Sequence, residues 1–111
     1  DILRLQQEVE GVHTSREVRA YIANIAAASR RNSALQLGIS TRAAISLLRA
    51  SQACALLDGR DYVIPEDVQR MAAPVLAHRM VLSPEASMRN MTAERVLQGV
   101  MGAVAVPVKV K

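Results

Sequence analysis

Residues 40–68 read STRAAISLLRASQACALLDGRDYVIPEDV, and the fold follows from that stretch. Ser40 and Thr41 are both competent N-caps, and Gly59 marks a stop, so one helix is expected between them. Its apolar spacing places Ile45, Leu48, Ala55 and Leu56 inward, with Arg49 and Gln52 on other faces. Pro65 then occupies a first helical position, where its missing N–H costs nothing, and Glu66 and Asp67 suit the positive end of the new helix. Two helices joined by a short Gly-Arg-Asp turn therefore form the centre of the chain.

Working outward, the same signals recur on both sides. Towards the N-terminus, Ile2, Leu5 and Val9 share one stripe of a helix ending at Gly11. Thr14 and Glu17 have capping-box spacing before a helix with Val18, Tyr21, Ile22 and Ile25 inward. Arg30 and Arg31 close that helix at the negative end of its dipole. Towards the C-terminus, Val68, Met71, Ala72, Val75 and Leu76 make a stripe, interrupted by Pro74, which should kink or split the helix. Residues 83–90 read as a loop opened by Ser-Pro. Thr92 then caps a last helix carrying Val96, Leu97, Val100, Met101 and Val104, which Gly99 and Gly102 weaken unless a helix packs against them. The tail, 105–111, alternates apolar and basic residues and is either a short strand or a frayed end. The expectation is an all-α bundle of about five helices, one domain spanning 1–111, with a possible short C-terminal extended segment.

Composition sets the limits on function. The 111 residues include no Phe or Trp and only two Tyr, so the core is aliphatic. Net charge is +4, and only Lys109 and Lys111 of the 14 basic residues are lysines. Arginine's planar fork suits phosphate and carboxylate, but also ordinary surface pairs with the ten acids. Cys54 is the sole cysteine, which excludes an internal disulfide and suits a reducing, cytoplasmic setting. No apolar run reaches the length of a membrane span. The opening Asp-Ile-Leu reads as an interior cut from a longer chain.

Catalytic and metal constellations are missing. There is no phosphate loop and no dinucleotide fingerprint, and His13 and His78 lack partners at metal-ligand spacing. Cys54 lies mid-helix without a basic neighbour in sequence. No catalytic residue and no metal ligand is assigned. One corner stands out: Arg42 sits in a helix's first turn, where the dipole disfavours a cation, directly after Ser40 and Thr41. Its presence asks for a reason, which is either a phosphate ligand or a nearby acid.

A family resemblance now enters. Leu37-Gly-Ile-Ser-Thr-Arg-Ala-Ala44, Leu47-Leu-Arg-Ala50, Ala53 to Val68 with its Gly-Arg-Asp-Tyr-Val core, and Val75-Leu-Ala-His-Arg79 closely resemble the C-terminal lid of MoxR-type AAA+ ATPases. That family typically shows G-A-S-P-R-A, a Leu-rich helix, G-R-D-Y-V-x-P-x-D-V and L-x-H-R. Val12 to Ile22 and Val104-Ala-Val-Pro107 extend the likeness over nearly the whole chain. The resemblance implies that Arg42 is the sensor-2 arginine reaching the γ-phosphate of ATP, with Ser40 and Thr41 opening its helix. ATP and Mg2+ would be bound mainly by a preceding α/β domain. It further implies a ring, taken as a hexamer, whose neighbouring subunits contact one another and which remodels a protein client in chaperone-like fashion. A von Willebrand factor A-type domain protein is one candidate client. Two departures stand out: Thr41 replaces the family's Pro, and Ile64 replaces a helix-capping Thr, leaving Asp67 as the candidate cap. Gly59 is expected as a left-handed helix stop with Arg60 and Asp61 fixing the turn, while His78 and Arg79 either buttress the lid or face a neighbouring subunit. The alternative is a small basic nucleic-acid-binding helical domain, drawing on the Arg16/Arg19 and Arg30/Arg31 clusters. Interspersed acids and the lack of stacking aromatics count against it.

Overall fold

The central helix pair forms as its caps dictate. In a computed structural model describing residues 2–108, α3 spans Thr41–Leu57 and α4 spans Pro65–Leu76. Ser40 caps α3, its Oγ accepting the Ala43 N–H at 3.1 Å. At the other end Gly59 adopts φ 79°, the left-handed conformation that glycine takes without penalty. The Arg60 N–H then reaches the Ala55 carbonyl at 2.9 Å and the Gly59 N–H reaches Leu56 at 3.0 Å. This is a Schellman closure, which satisfies the carbonyls of Ala55 and Leu56 inside the turn while the Asp58 N–H serves that of Cys54.

Around this pair lie α1 (Ile2–Glu10), α2 (Arg16–Arg30), α5 (Pro84–Met88) and α6 (Ala93–Gly102), with a single 3-10 turn at Ala77–Arg79 directly after α4. The all-α expectation holds, with six α-helices among the described residues. A two-stranded antiparallel ribbon, β1 (Leu35–Leu37) and β2 (Val81–Leu82), is the one addition, pairing Leu35 with Leu82 and Leu37 with Val81.

The core is where the elements converge. Val18, Tyr21, Ile22 and Ile25 of α2 meet Ala43, Leu47 and Ala55 of α3, Val68, Ala72 and Leu76 of α4, and Val96, Leu97 and Val100 of α6. α1 lies against α3 without any fully buried residue: Val9 is half-buried, and Ile2 and Leu5 of its apolar stripe remain exposed.

Several local expectations are corrected. The N-cap of α2 is Ser15, whose Oγ accepts the Val18 N–H at 3.2 Å, rather than Thr14. The Thr14 hydroxyl instead accepts from buried Gln52, which also donates to the Val12 carbonyl at 3.0 Å. Gln52 thus points inward, while Ile45 is exposed and Leu47 takes the core position. Together with the His13–Tyr62 bridge, where the His13 N–H donates to Asp61 at 2.8 Å and Val63 donates back at 2.9 Å, Gln52 stitches the α1–α2 crossing to the central pair. Pro74 does not split α4, which continues to Leu76 and only then tightens into the 3-10 turn. The expected loop 83–90 contains α5, capped by Ser83 and opened by Pro84. Gly99 and Gly102 have no neighbour close enough to explain them by packing. Residues 105–108 form no strand, and the rest of the expected tail segment lies outside the described residues.

Candidate functional site

The corner singled out by Arg42 is held by the last turn of α2. Gly38 lies so close to that turn that a Cβ there would come within 2.8 Å of Ser29 Oγ and 2.9 Å of the Arg30 nitrogen. Buried Ser29 donates its hydroxyl to the Ala26 carbonyl at 2.7 Å and accepts the Ile39 N–H at 2.8 Å. Arg30 Nε donates to the Ile39 carbonyl at 3.2 Å. Both polar groups of the Ile39 backbone are therefore fixed to α2, and its side chain is buried in the core. The chain enters α3 in one direction as a result.

Ser40 spends its hydroxyl on the cap. The N–H groups of Thr41 and Arg42 find no acceptor among the described residues, and both side chains are exposed. Neither a hydrogen bond nor an ion pair ties down the Arg42 guanidinium among those residues, so no acid among them accounts for a first-turn arginine. What remains is a free fork beside free N–H groups at the positive end of a 17-residue helix, a combination suited to a phosphate oxygen.

At the opposite end of α3 the second arginine has both terminal nitrogens of its fork engaged. Arg60 forks onto Asp67 with both contacts at 2.7 Å, reaches Asp58 Oδ2 at 3.0 Å and donates to the Tyr62 carbonyl at 3.1 Å. Asp67, which is 1% exposed, also accepts the Ile64 N–H at 2.9 Å. It thereby supplies the reciprocal half of a capping box that Ile64 cannot complete. Burial works to raise the Asp67 carboxyl, but the Arg60 fork and the Ile64 N–H outweigh it and hold the group below its ordinary 3.8. The Asp67 hydrogen bonds push the Arg60 guanidinium above its usual value, against the opposing effect of its own burial, with Asp58 adding to the rise. Cys54, Asp58 and Asp67 bring one potential ligand atom each within 4.8 Å of one another. The Arg60 guanidinium already neutralises both carboxylates there, and burial, followed by the Asp67 hydrogen bond, raises the Cys54 thiol away from a metal-ready thiolate. The cluster is a structural hub.

His13 takes part through its backbone alone, with its side chain exposed, and His78 is exposed on the 3-10 turn. Arg79, for which the sequence offers two roles, reaches α3, with Nη1 donating to Ser46 Oγ at 3.1 Å. No local pattern could have revealed that contact. The arginine clusters that suggested nucleic acid lie at the two ends of α2, roughly 20 Å apart at 1.5 Å per residue, and share no groove-sized face.

A family model described as the AAA lid domain matches residues 27–100. The chain belongs to that family. It is a lid of the MoxR type: it is 33% identical over 116 residues to the chaperone MoxR1 of Mycobacterium tuberculosis, covering 96% of this chain and 31% of the relative. The MoxR protein of Paracoccus denitrificans is 38% identical over 87 residues, covering 67% and 26% respectively. An uncharacterized Bacillus subtilis protein, YeaC, is 44% identical over 109 residues, covering 98% of this chain and 34% of its own length. Among solved structures, a Cytophaga hutchinsonii protein provisionally described as an ATPase superposes with a TM-score of 0.85 at 31% identity, over 91% of this chain and 33% of that one. The lid thus spans about a third of the length of the curated relatives it matches. Among the described residues no helix is long and apolar enough to cross a membrane.

Proposed function

We propose that this lid serves an ATP-driven machine by presenting Arg42 to the γ-phosphate of ATP held by an α/β domain of the same longer chain. The reading rests on Arg42 itself: a first-turn guanidinium, exposed, without an acid partner among the described residues, on a helix whose entry is clamped by Gly38 and Ile39. ATP, with Mg2+ held by the preceding domain, supplies the transferable phosphoryl group. This chain's part is electrostatic and positional. Arg42 places positive charge where the terminal phosphate carries its negative charge, and the free N–H groups of Thr41 and Arg42 add to that field. Ser40 caps the helix and sets its direction. Because Arg42 belongs to the lid, loss of the terminal phosphate removes a contact that favours one lid angle, which couples nucleotide state to lid position. Repeated in a hexameric ring, that motion performs chaperone-like remodelling of a protein client. The name chaperone, carried by the mycobacterial relative, agrees with this use.

The test is Arg42→Ala in the full-length protein. ATP affinity and hydrolysis are expected to fall about tenfold or more, the scale of one lost charge-assisted contact, with helicity unchanged. An ATP affinity and a hydrolysis rate equal to wild type would remove Arg42 from the site.

A further inference from the structure

Three arginines gather on one face at the start of α3. Arg42, Ser46 and Arg49 follow one another at i, i+4 and i+7, so they line a single stripe of the helix. Arg79 joins them from outside, donating to Ser46 Oγ, one turn and about 6 Å along the axis from Arg42. None of the three forms an ion pair among the described residues, although ten acids are present in the sequence.

The position of Arg79 is overdetermined. The Schellman turn sends α4 back along α3, so the end of α4 returns to the start of α3. The β1–β2 ribbon binds the segment following Arg79 to the segment leading into Gly38. Leu76, Ala77 and Met80 are buried around the 3-10 turn, which leaves His78 and Arg79 facing out. Ser46 then takes one donor of the Arg79 fork and leaves the rest of it free. Holding a second cation beside Arg42 without a counter-charge costs electrostatic free energy in the free protein. A ligand of more than one negative charge recovers that cost.

We propose that Arg79, oriented by Ser46, is a second phosphate-binding cation that closes with Arg42 on the terminal phosphates of a nucleoside triphosphate. This rests on the reading of Arg42 given above and extends it to a two-arginine clamp. A triphosphate carries one more charged group than a diphosphate, so the clamp discriminates between them. Arg49 is not a member: it stands seven residues, about 10 Å along the helix axis, beyond Arg42, and Gln52 Oε1 draws its Nη1 further along α3 at 3.1 Å.

The experiment measures equilibrium binding of ATP and ADP, each with Mg2+, to the full-length protein bearing Arg42→Ala, Arg79→Ala, Arg79→Lys, Ser46→Ala or Arg49→Ala, with assembly state followed by light scattering. Arg79→Ala is expected to weaken ATP about tenfold and ADP less than threefold. Arg79→Lys should keep part of the affinity, Ser46→Ala should lose two- to threefold, and Arg49→Ala should leave ATP binding unchanged. In the double variant Arg42→Ala/Arg79→Ala the two losses should combine non-additively. If Arg42→Ala weakens ATP but Arg79→Ala does not, the clamp is refuted and the Arg42 reading survives. If neither matters, both fall. If Arg79→Ala disrupts assembly while ATP affinity per subunit is unchanged, Arg79 is an inter-subunit residue and the clamp is refuted.

Discussion

The two ends of α3 carry arginines in opposite conditions. Arg60, just past the C-terminus, has its fork engaged by Asp58, Asp67 and the Tyr62 carbonyl, and Asp67 is almost wholly shielded from water. Arg42, in the first turn, has none of these. Both stand close to a glycine in sequence and both match a family motif, so motif membership alone does not separate them. Satisfaction does. A guanidinium whose two terminal nitrogens are both taken holds a fold together, whereas one placed against its helix dipole and unpaired among the described residues is available to something else.

The sharpest way to break this contrast is Arg60→Ala. It strands Asp67 as a buried carboxylate without its counter-ion and should destabilise the chain by about 3–5 kcal/mol, read from the urea midpoint. The same pair sets an acid limit. Because the Asp67 carboxyl is held below its ordinary value in the folded state, its contribution is present above about pH 3.8 and is lost as pH falls through the lower folded value. Wild type should therefore lose stability below that point, and Asp67→Asn should flatten this part of the profile. A profile in Asp67→Asn identical to wild type would remove the ion pair as its cause.

A middle-sized effect is expected from Gly38→Ala. The added methyl meets backbone and Ser29 Oγ at under 3.0 Å, so the end of α2 and the entry to α3 must move apart, at about 1–3 kcal/mol. Thermal melts would register the loss, and a triphosphate affinity that drops alongside would show that the clamp on Ile39 also aims Arg42. The smallest expected change is the stability of Arg42→Ala, within about 0.5 kcal/mol and on the stabilising side, because it removes positive charge from the positive end of a helix. A large destabilisation there would erase the difference between the two arginines.

Much of this organisation was legible in the sequence because it is local. Ser40, Gly59, Pro65 and Thr92 mark helix ends through groups within a few residues, and each end lies where those residues put it. Asp67 as the replacement for a missing cap at Ile64 was equally readable. What escaped depends on distant partners. Thr14 has the spacing of a capping box, yet its hydroxyl is claimed by Gln52, 38 residues away, and the cap passes to Ser15. α3 is apolar on several faces, so its stripe gave no firm phase, and Ile45 was placed inward where Leu47 belongs. The strands of three and two residues are too short to show alternation. At the site, the type and place of Arg42 are visible in the sequence, but its lack of an acid partner among the described residues and the reach of Arg79 to Ser46 require three dimensions.

The Schellman closure beyond α3 has a mechanical consequence. With the Cys54, Ala55 and Leu56 carbonyls satisfied and Arg60 bolting the turn to the first turn of α4, the hairpin has little compliance at that end. A helix of 17 residues is about 25 Å long, so a swing of roughly 10° about the Ser40 end carries the Leu57 end through about 4 Å. The turn acts as the stiff tip of a lever, converting a small angular displacement at one end into a stroke at the other.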